Sequence, residues 1–114
     1  MRYTNVQIFE SDGTFLEEWS HFGRPSGIYI NRATDTLYAT DSTSNSRTNP
    51  GVRRGIYIGS ARTGVLDYFV PDPDLESADQ TRISGASGIA SSHDDSVICA
   101  ADVAPWQLRK HVRP

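Results

Sequence analysis

The sequence predicts an all-β chain assembled from repeated antiparallel hairpins, and three observations predict it. Residues 23–41, GRPSGIYINRATDTLYATD, return as residues 85–102, GASGIASSHDDSVICAAD: Ser26-Gly27-Ile28 and Ser87-Gly88-Ile89 stand 61 residues apart, as do Asp41 and Asp102. Each copy is a short apolar run, a polar turn, a second apolar run and a closing Asp, and an internal repeat of this kind governs the reading of the whole chain. Next, the segments before the first copy and between the copies are short alternating runs around turns containing Gly13 and Gly64, 51 residues apart. Finally, no 3.6-residue period competes with the alternation.

Taken in order, residues 6–9 alternate, Ser11-Asp12-Gly13 turns the chain through a glycine able to take positive φ, and residues 15–19 return. Val6, Ile8, Phe15 and Trp19 supply the apolar groups, while Glu10, Glu17 and Glu18 suit an outer, solvated hairpin. Pro25 cannot donate to a ladder and so opens the next strand. Gly27-Ile28-Tyr29-Ile30 is compact and apolar enough to lie deep, and residues 32–35 turn into Leu37-Tyr38-Ala39. Residues 41–50, DSTSNSRTNP, read as a loop. Residues 55–60 and 65–70 then flank Ala61-Arg62-Thr63-Gly64 as a second outer hairpin. Residues 71–82, PDPDLESADQTR, read as an exposed loop; Asp72, Asp74, Glu76 and Asp79 lack the spacing of a cation loop. The second inner hairpin follows, and residues 106–112 form a last strand with no later partner.

Composition bounds the rest. A length of 114 residues allows one domain at most. The 37% apolar and 22% charged fractions are those of a globular chain. A formal charge of −3 provides no basic footprint, so nucleic acid is not an expected partner. The single cysteine, Cys99, excludes an intrachain disulfide and reads as a buried structural thiol. Residues 1–13 lack the apolar core of a secretion signal, and no stretch approaches a membrane span, so no membrane partner is expected and the default location is cytoplasmic.

Small apolar inner hairpins alternating with charged outer ones are how four-stranded propeller blades read in sequence. The predicted fold is therefore a partial β-propeller of roughly two to three blades: an outer hairpin over residues 1–20, a complete blade over 21–70, a loop over 71–82 and an incomplete last blade over 83–114. A closed propeller has about 4–8 blades. Unpaired edges and bare blade faces at both ends predict either the C-terminal part of a longer propeller or self-association, most economically as a two-fold pair.

The motifs SDGTFLEEWSHFGRPSGIYI and DTLYATDSTSN resemble those of NHL-repeat propellers, whose repeat runs from a D-G turn through an aromatic hairpin to F-G-x-P-x-G-I and a Y-V-A-D-S close. With G-I-Y-I-G-S-A-R-T-G at residues 55–64, the chain is similar in particular to the C-terminal blades of bacterial NHL proteins related to peptidyl-α-hydroxyglycine amidating lyases and to lactonase-like six-bladed propellers. The resemblance covers nearly the whole chain. It implies the fold more specifically than any activity. In the lyases, zinc-binding histidines follow the proline that opens an innermost strand. Ser26 follows Pro25 here, and Ser87 follows Ala86, so both ligands are missing, and serine is a poor zinc donor.

The candidate ligand-binding residues are His21, Arg24, Ser26, Ser87, Asp41 and Asp102. His21 precedes the strand expected to line the axis, and Arg24, Ser26 and Ser87 are placed to line an axial opening. Asp41 and Asp102 close inner hairpins; a carboxylate there accepts backbone N–H groups in the next turn, or else faces a channel as a weak metal candidate. No paired base or G-x-S-x-G elbow activates a serine. His93 and His111 read as surface or packing groups, and Arg47, Arg53 and Arg54 as loop tethers. The expected function is a non-catalytic propeller module that binds a small ligand or a protein and forms a homodimer or higher homo-oligomer. The alternative is a metal-dependent lyase or lactonase-like hydrolase. No cofactor is expected, and a divalent metal, calcium or zinc, enters only if an axial site is assembled.

Overall fold

The computed structural model describes residues 5–44, 51–73, 84–103 and 106–114. These residues form nine strands: β1 (Val6–Phe9), β2 (Phe15–Trp19), β3 (Gly27–Asn31), β4 (Thr36–Asp41), β5 (Gly55–Ser60), β6 (Leu66–Pro71), β7 (Gly85–Ser91), β8 (Val97–Val103) and β9 (Gln107–Val112). They make three antiparallel sheets ordered β1-β2, β3-β4-β5-β6 and β7-β8-β9. The chain is thus all-β, in an arrangement compatible with part of a propeller. The expected loops over residues 45–50 and 74–82, with Arg47, Asp74, Glu76 and Asp79, lie outside the described residues.

Pleating sends successive side chains to opposite faces, and in β4 both faces are buried. Leu37 and Ala39 join Val6, Trp19, Phe22 and Tyr57 in a core between the first and middle sheets. Tyr38 joins Ile56, Ala86, Ile98 and Ala100 in a second core between the middle and last sheets. The strands β2, β6 and β9 are mostly exposed. β3, whose apolar run was expected to lie deep, does not: Ile28 and Ile30 are each 49% exposed, because no described strand covers that face of β3.

The repeat seen in sequence is also a repeat of pairing. Gly27 lies opposite Thr40 in the middle sheet, and Gly88, 61 residues on, lies opposite Ala101 in the last. Gly13 and Gly64 both take positive φ, 94° and 76°, at their outer turns. Asp12 closes the first turn by accepting the Thr14 N–H at 2.9 Å. One expected boundary shifts: the sixth strand runs through Pro71, which pairs with Gly55. Proline is tolerated there because β6 is an edge strand.

The middle and last sheets approach closely at Gly27. A Cβ there would stand 2.0 Å from the Ser87 carbonyl oxygen, whereas one at the repeat-equivalent Gly88 meets only the Ala101 Cβ at 3.4 Å. Gly27→Ala must therefore push two backbones apart and is expected to cost about 2 kcal/mol, the scale of an overpacked core. Gly88→Ala should cost well under half of that. Urea midpoints of the two variants check the asymmetry; equal losses would show that the contact at Ser87 does not constrain the sheets.

Candidate functional site

Asp41 is fully buried at the end of β4. Its Oδ1 accepts the N–H groups of Thr43 at 3.1 Å and Ser44 at 2.9 Å, and its Oδ2 accepts the Arg24 N–H at 2.8 Å and the Ser44 hydroxyl. This carboxylate therefore organises the turn that follows it and holds the approach to β3. Through its backbone, Arg24 belongs to the same unit. Ser26 Oγ lies beside it, 3.1 Å from Thr40 O, 3.3 Å from Thr40 Oγ1 and 3.1 Å from Ser42 Oγ. Thr40 in turn donates to the Ser87 carbonyl at 3.0 Å. Ser26 and Ser87 are thus brought to one junction, linked through Thr40.

Asp102, also buried, is held differently from its repeat partner. Its Oδ2 pairs with Arg109 Nε and accepts from Gln107 Nε2 at 3.0 Å, both from β9. The reason is the connection. Asp41 is followed by a long excursion whose N–H groups return to it, whereas β9 starts at Gln107 directly opposite Asp102. His21 does not join either group. Its Nε2 meets the Gly64 carbonyl in the outer turn, with the ring 4.8 Å from that of Phe22. Among the described residues, no group of three or more His, Cys, Asp or Glu side chains is placed to hold a metal ion. Cys99, expected to be buried, is half-buried instead. It lies on the face of β8 away from the middle sheet, which no described element covers.

A larger concave feature lies between β6 of the middle sheet and β9 of the last. A cleft of about 460 Å³ is lined by Tyr38, Ile58, Tyr68, Val70, His111 and Arg113, among others. Among the described residues the middle sheet carries four strands and the last sheet three, and the cleft lies against β6 and β9. Tyr68 is 61% exposed on one wall. The Arg113 guanidinium stands 6.0 Å from the Tyr68 ring centroid, and the Arg113 N–H donates to Ser96 O at 2.9 Å. Of these residues only His111 is weighed from the sequence, as a surface or packing group.

At the floor of the cleft, Asp95 bridges the two sheets. It accepts from Tyr38 Oη at 2.6 Å and Asn31 Nδ2 at 2.9 Å on Oδ1, and from Thr36 Oγ1 at 2.9 Å on Oδ2. Burial by itself raises the carboxyl, but hydrogen bonds from Thr34, Tyr38, Asn31 and Thr36 outweigh it and hold Asp95 at about 2. Burial, then the Asp95 hydrogen bond and charge, push the Tyr38 phenol well above its ordinary value. Tyr57, on the opposite face, is raised to about 12 by burial and then by Asp41. The one visible signal for Asp95 was its turn: it takes φ 62°, as Asp35 takes φ 60° in the first copy, a conformation that Asp tolerates better than most residues.

No family model matches this chain, and no curated protein or solved structure matches it either. No helix among the described residues is long and apolar enough to cross a membrane.

Proposed function

We propose that this chain is a non-catalytic, NHL-type propeller module that binds a small ligand and is completed by self-association. The observation that carries the binding reading is the cleft of about 460 Å³ between β6 and β9, within the size range of small-molecule sites. An apolar wall of Ile58, Tyr68 and Val70 facing Arg113 and His111 suits a flat apolar molecule that carries an anionic group. The carboxylates favour binding over metal chemistry, because Asp41 and Asp102 already serve this chain's own N–H and guanidinium groups.

Benzoate and indole-3-acetate are the probes. Titrated into isotope-labelled protein, an aromatic carboxylate is expected to shift the signals of Tyr68, His111 and Arg113 saturably. Tyr68→Ala and Arg113→Ala should each weaken that binding about tenfold, the value of one aromatic or charge-assisted contact. Saturable shifts confined to other residues would remove the cleft from consideration. Stoichiometric divalent metal in chelator-free protein, lost in Asp41→Ala or Asp102→Ala, would favour the lyase or hydrolase alternative instead.

A further inference from the structure

The sequence holds one Asp-Gly pair, Asp12-Gly13, and no Asn-Gly pair. Glycine has no side chain to hinder its own nitrogen and little conformational restriction, so this dipeptide is where an aspartyl carboxyl closes most readily onto the next backbone nitrogen. Both residues are exposed in the β1-β2 turn. A Cβ built on Gly13 would meet no atom within 4 Å, so the site has room for a ring to form.

The closed turn occupies the atoms that would react. The attacking atom is the Gly13 nitrogen, whose N–H donates to Glu10 O at 2.9 Å. The atom attacked is Asp12 Cγ, whose Oδ1 accepts the Thr14 N–H at 2.9 Å. Hydrogen bonds from the Thr14 side chain and backbone hold the carboxyl below its ordinary value, in the ionised form that is the poorer target for a nucleophile. The Glu10 N–H fastens the loop to Thr14 O at 2.8 Å, and Gly13 takes φ 94° within it.

We propose that Asp12-Gly13 is a gated isomerisation site: the closed turn protects it, and opening of the turn releases it to form isoaspartate. In the open turn the Gly13 nitrogen loses its proton and bonds to Asp12 Cγ, while a carboxyl oxygen leaves as water. A second water then breaks the bond between that nitrogen and the Asp12 backbone carbonyl carbon. The chain now runs through Cγ, one methylene longer, and a free carboxylate stands on Asp12 Cα. One water is released and one consumed, so neither oxidant nor reductant is needed. Turn geometry fixes hairpin register, and the lengthened turn cannot restore both the Gly13–Glu10 and the Asp12–Thr14 bonds. Isomerisation therefore loosens the hairpin that carries Val6 and Trp19 into the first core.

The test incubates the full chain at neutral pH and follows residue 12 by peptide mapping with electron-driven fragmentation, which distinguishes the two isomers of equal mass. Isoaspartate is expected to form at least about tenfold more slowly in the folded chain than in the same chain unfolded in urea, because the turn must open first. Thr14→Ala removes the side-chain hydrogen bond to Asp12 at an exposed position. It should speed the folded reaction and leave the rate in urea unchanged. The isomerised fraction should show red-shifted tryptophan emission that reports Trp19, which is 6% exposed, since Trp106 is already 88% exposed. Equal rates in folded and unfolded chain, or a folded Thr14→Ala chain as slow as wild type, would overturn the gate. An unmodified residue 12 in the unfolded chain would overturn the site, and unchanged emission would overturn the loosening of the hairpin.

Discussion

Replacing Arg54 with alanine is expected to destabilise the chain by about 4 kcal/mol, the largest loss from any single side chain described here. Arg54 is 1% exposed despite its charge. Its Nε donates to the Ser44 carbonyl at 2.8 Å and its Nη1 to Ser84 Oγ at 2.6 Å. Ser84 Oγ in turn donates a hydrogen bond to Asp72 Oδ2 at 2.9 Å. One guanidinium thereby ties the segment after β4 to the segment that opens the last sheet, where Ser84 N–H also reaches Ser42 O at 2.9 Å. Hydrogen bonds to a charged group are worth about 1.5–3 kcal/mol each. Lysine is not expected to rescue, because one ammonium cannot reproduce the planar fork that reaches both acceptors. Chemical denaturation of Arg54→Ala and Arg54→Lys checks this; a loss below about 1 kcal/mol in either would mean the junction is held by packing alone.

The second large effect is at Asp95, where alanine is expected to cost about 3 kcal/mol by removing the carboxylate that the Tyr38 hydroxyl, Asn31 amide and Thr36 hydroxyl share between two sheets; Asn31 keeps Ser92 O and His93 O, and Thr36 keeps Thr34 Oγ1. Its charge also makes stability depend on pH. The folded carboxyl, at about 2, lies below the ordinary value of 3.8. The stabilisation it brings is therefore complete above about pH 4 and is lost as pH falls through 2, an amount of about 2 kcal/mol at 1.36 kcal/mol per unit. Asp94, held at about 2 by Ser96 and Ser92, titrates in the same window. The informative comparison is consequently Asp95→Asn, which keeps Asp94 and tolerates the same positive φ. Between pH 4 and 2 the variant should lose less stability than wild type. Parallel curves would show that the Asp95 charge contributes nothing to the junction between the sheets.

Much of the fold was legible because the strands are short, alternating and punctuated. The fifth strand, Gly55–Ser60, falls where the apolar run GIYIGS places it, and Gly13 and Gly64 adopt the positive φ that their turns demand. The offset of 61 residues survives as pairing register because both inner hairpins align the same residues across the ladder. The candidate residues were less legible. Asp41 and Asp102 occupy equivalent positions in the repeat, yet one caps a turn and the other pairs with Arg109. The difference lies in the length of chain after each strand, which alters what stands within reach.

The sequence by itself determined the class of fold, the order of the hairpins and the repeat that relates them. All of these follow from local alternation and turn chemistry, which each segment carries with it. Only the tertiary structure decided that Asp95 holds two sheets together, that Arg54 is buried at their junction, that His21 turns away to Gly64 and that a cleft opens beside Tyr68. Each of those depends on residues distant in the chain meeting when sheets stack.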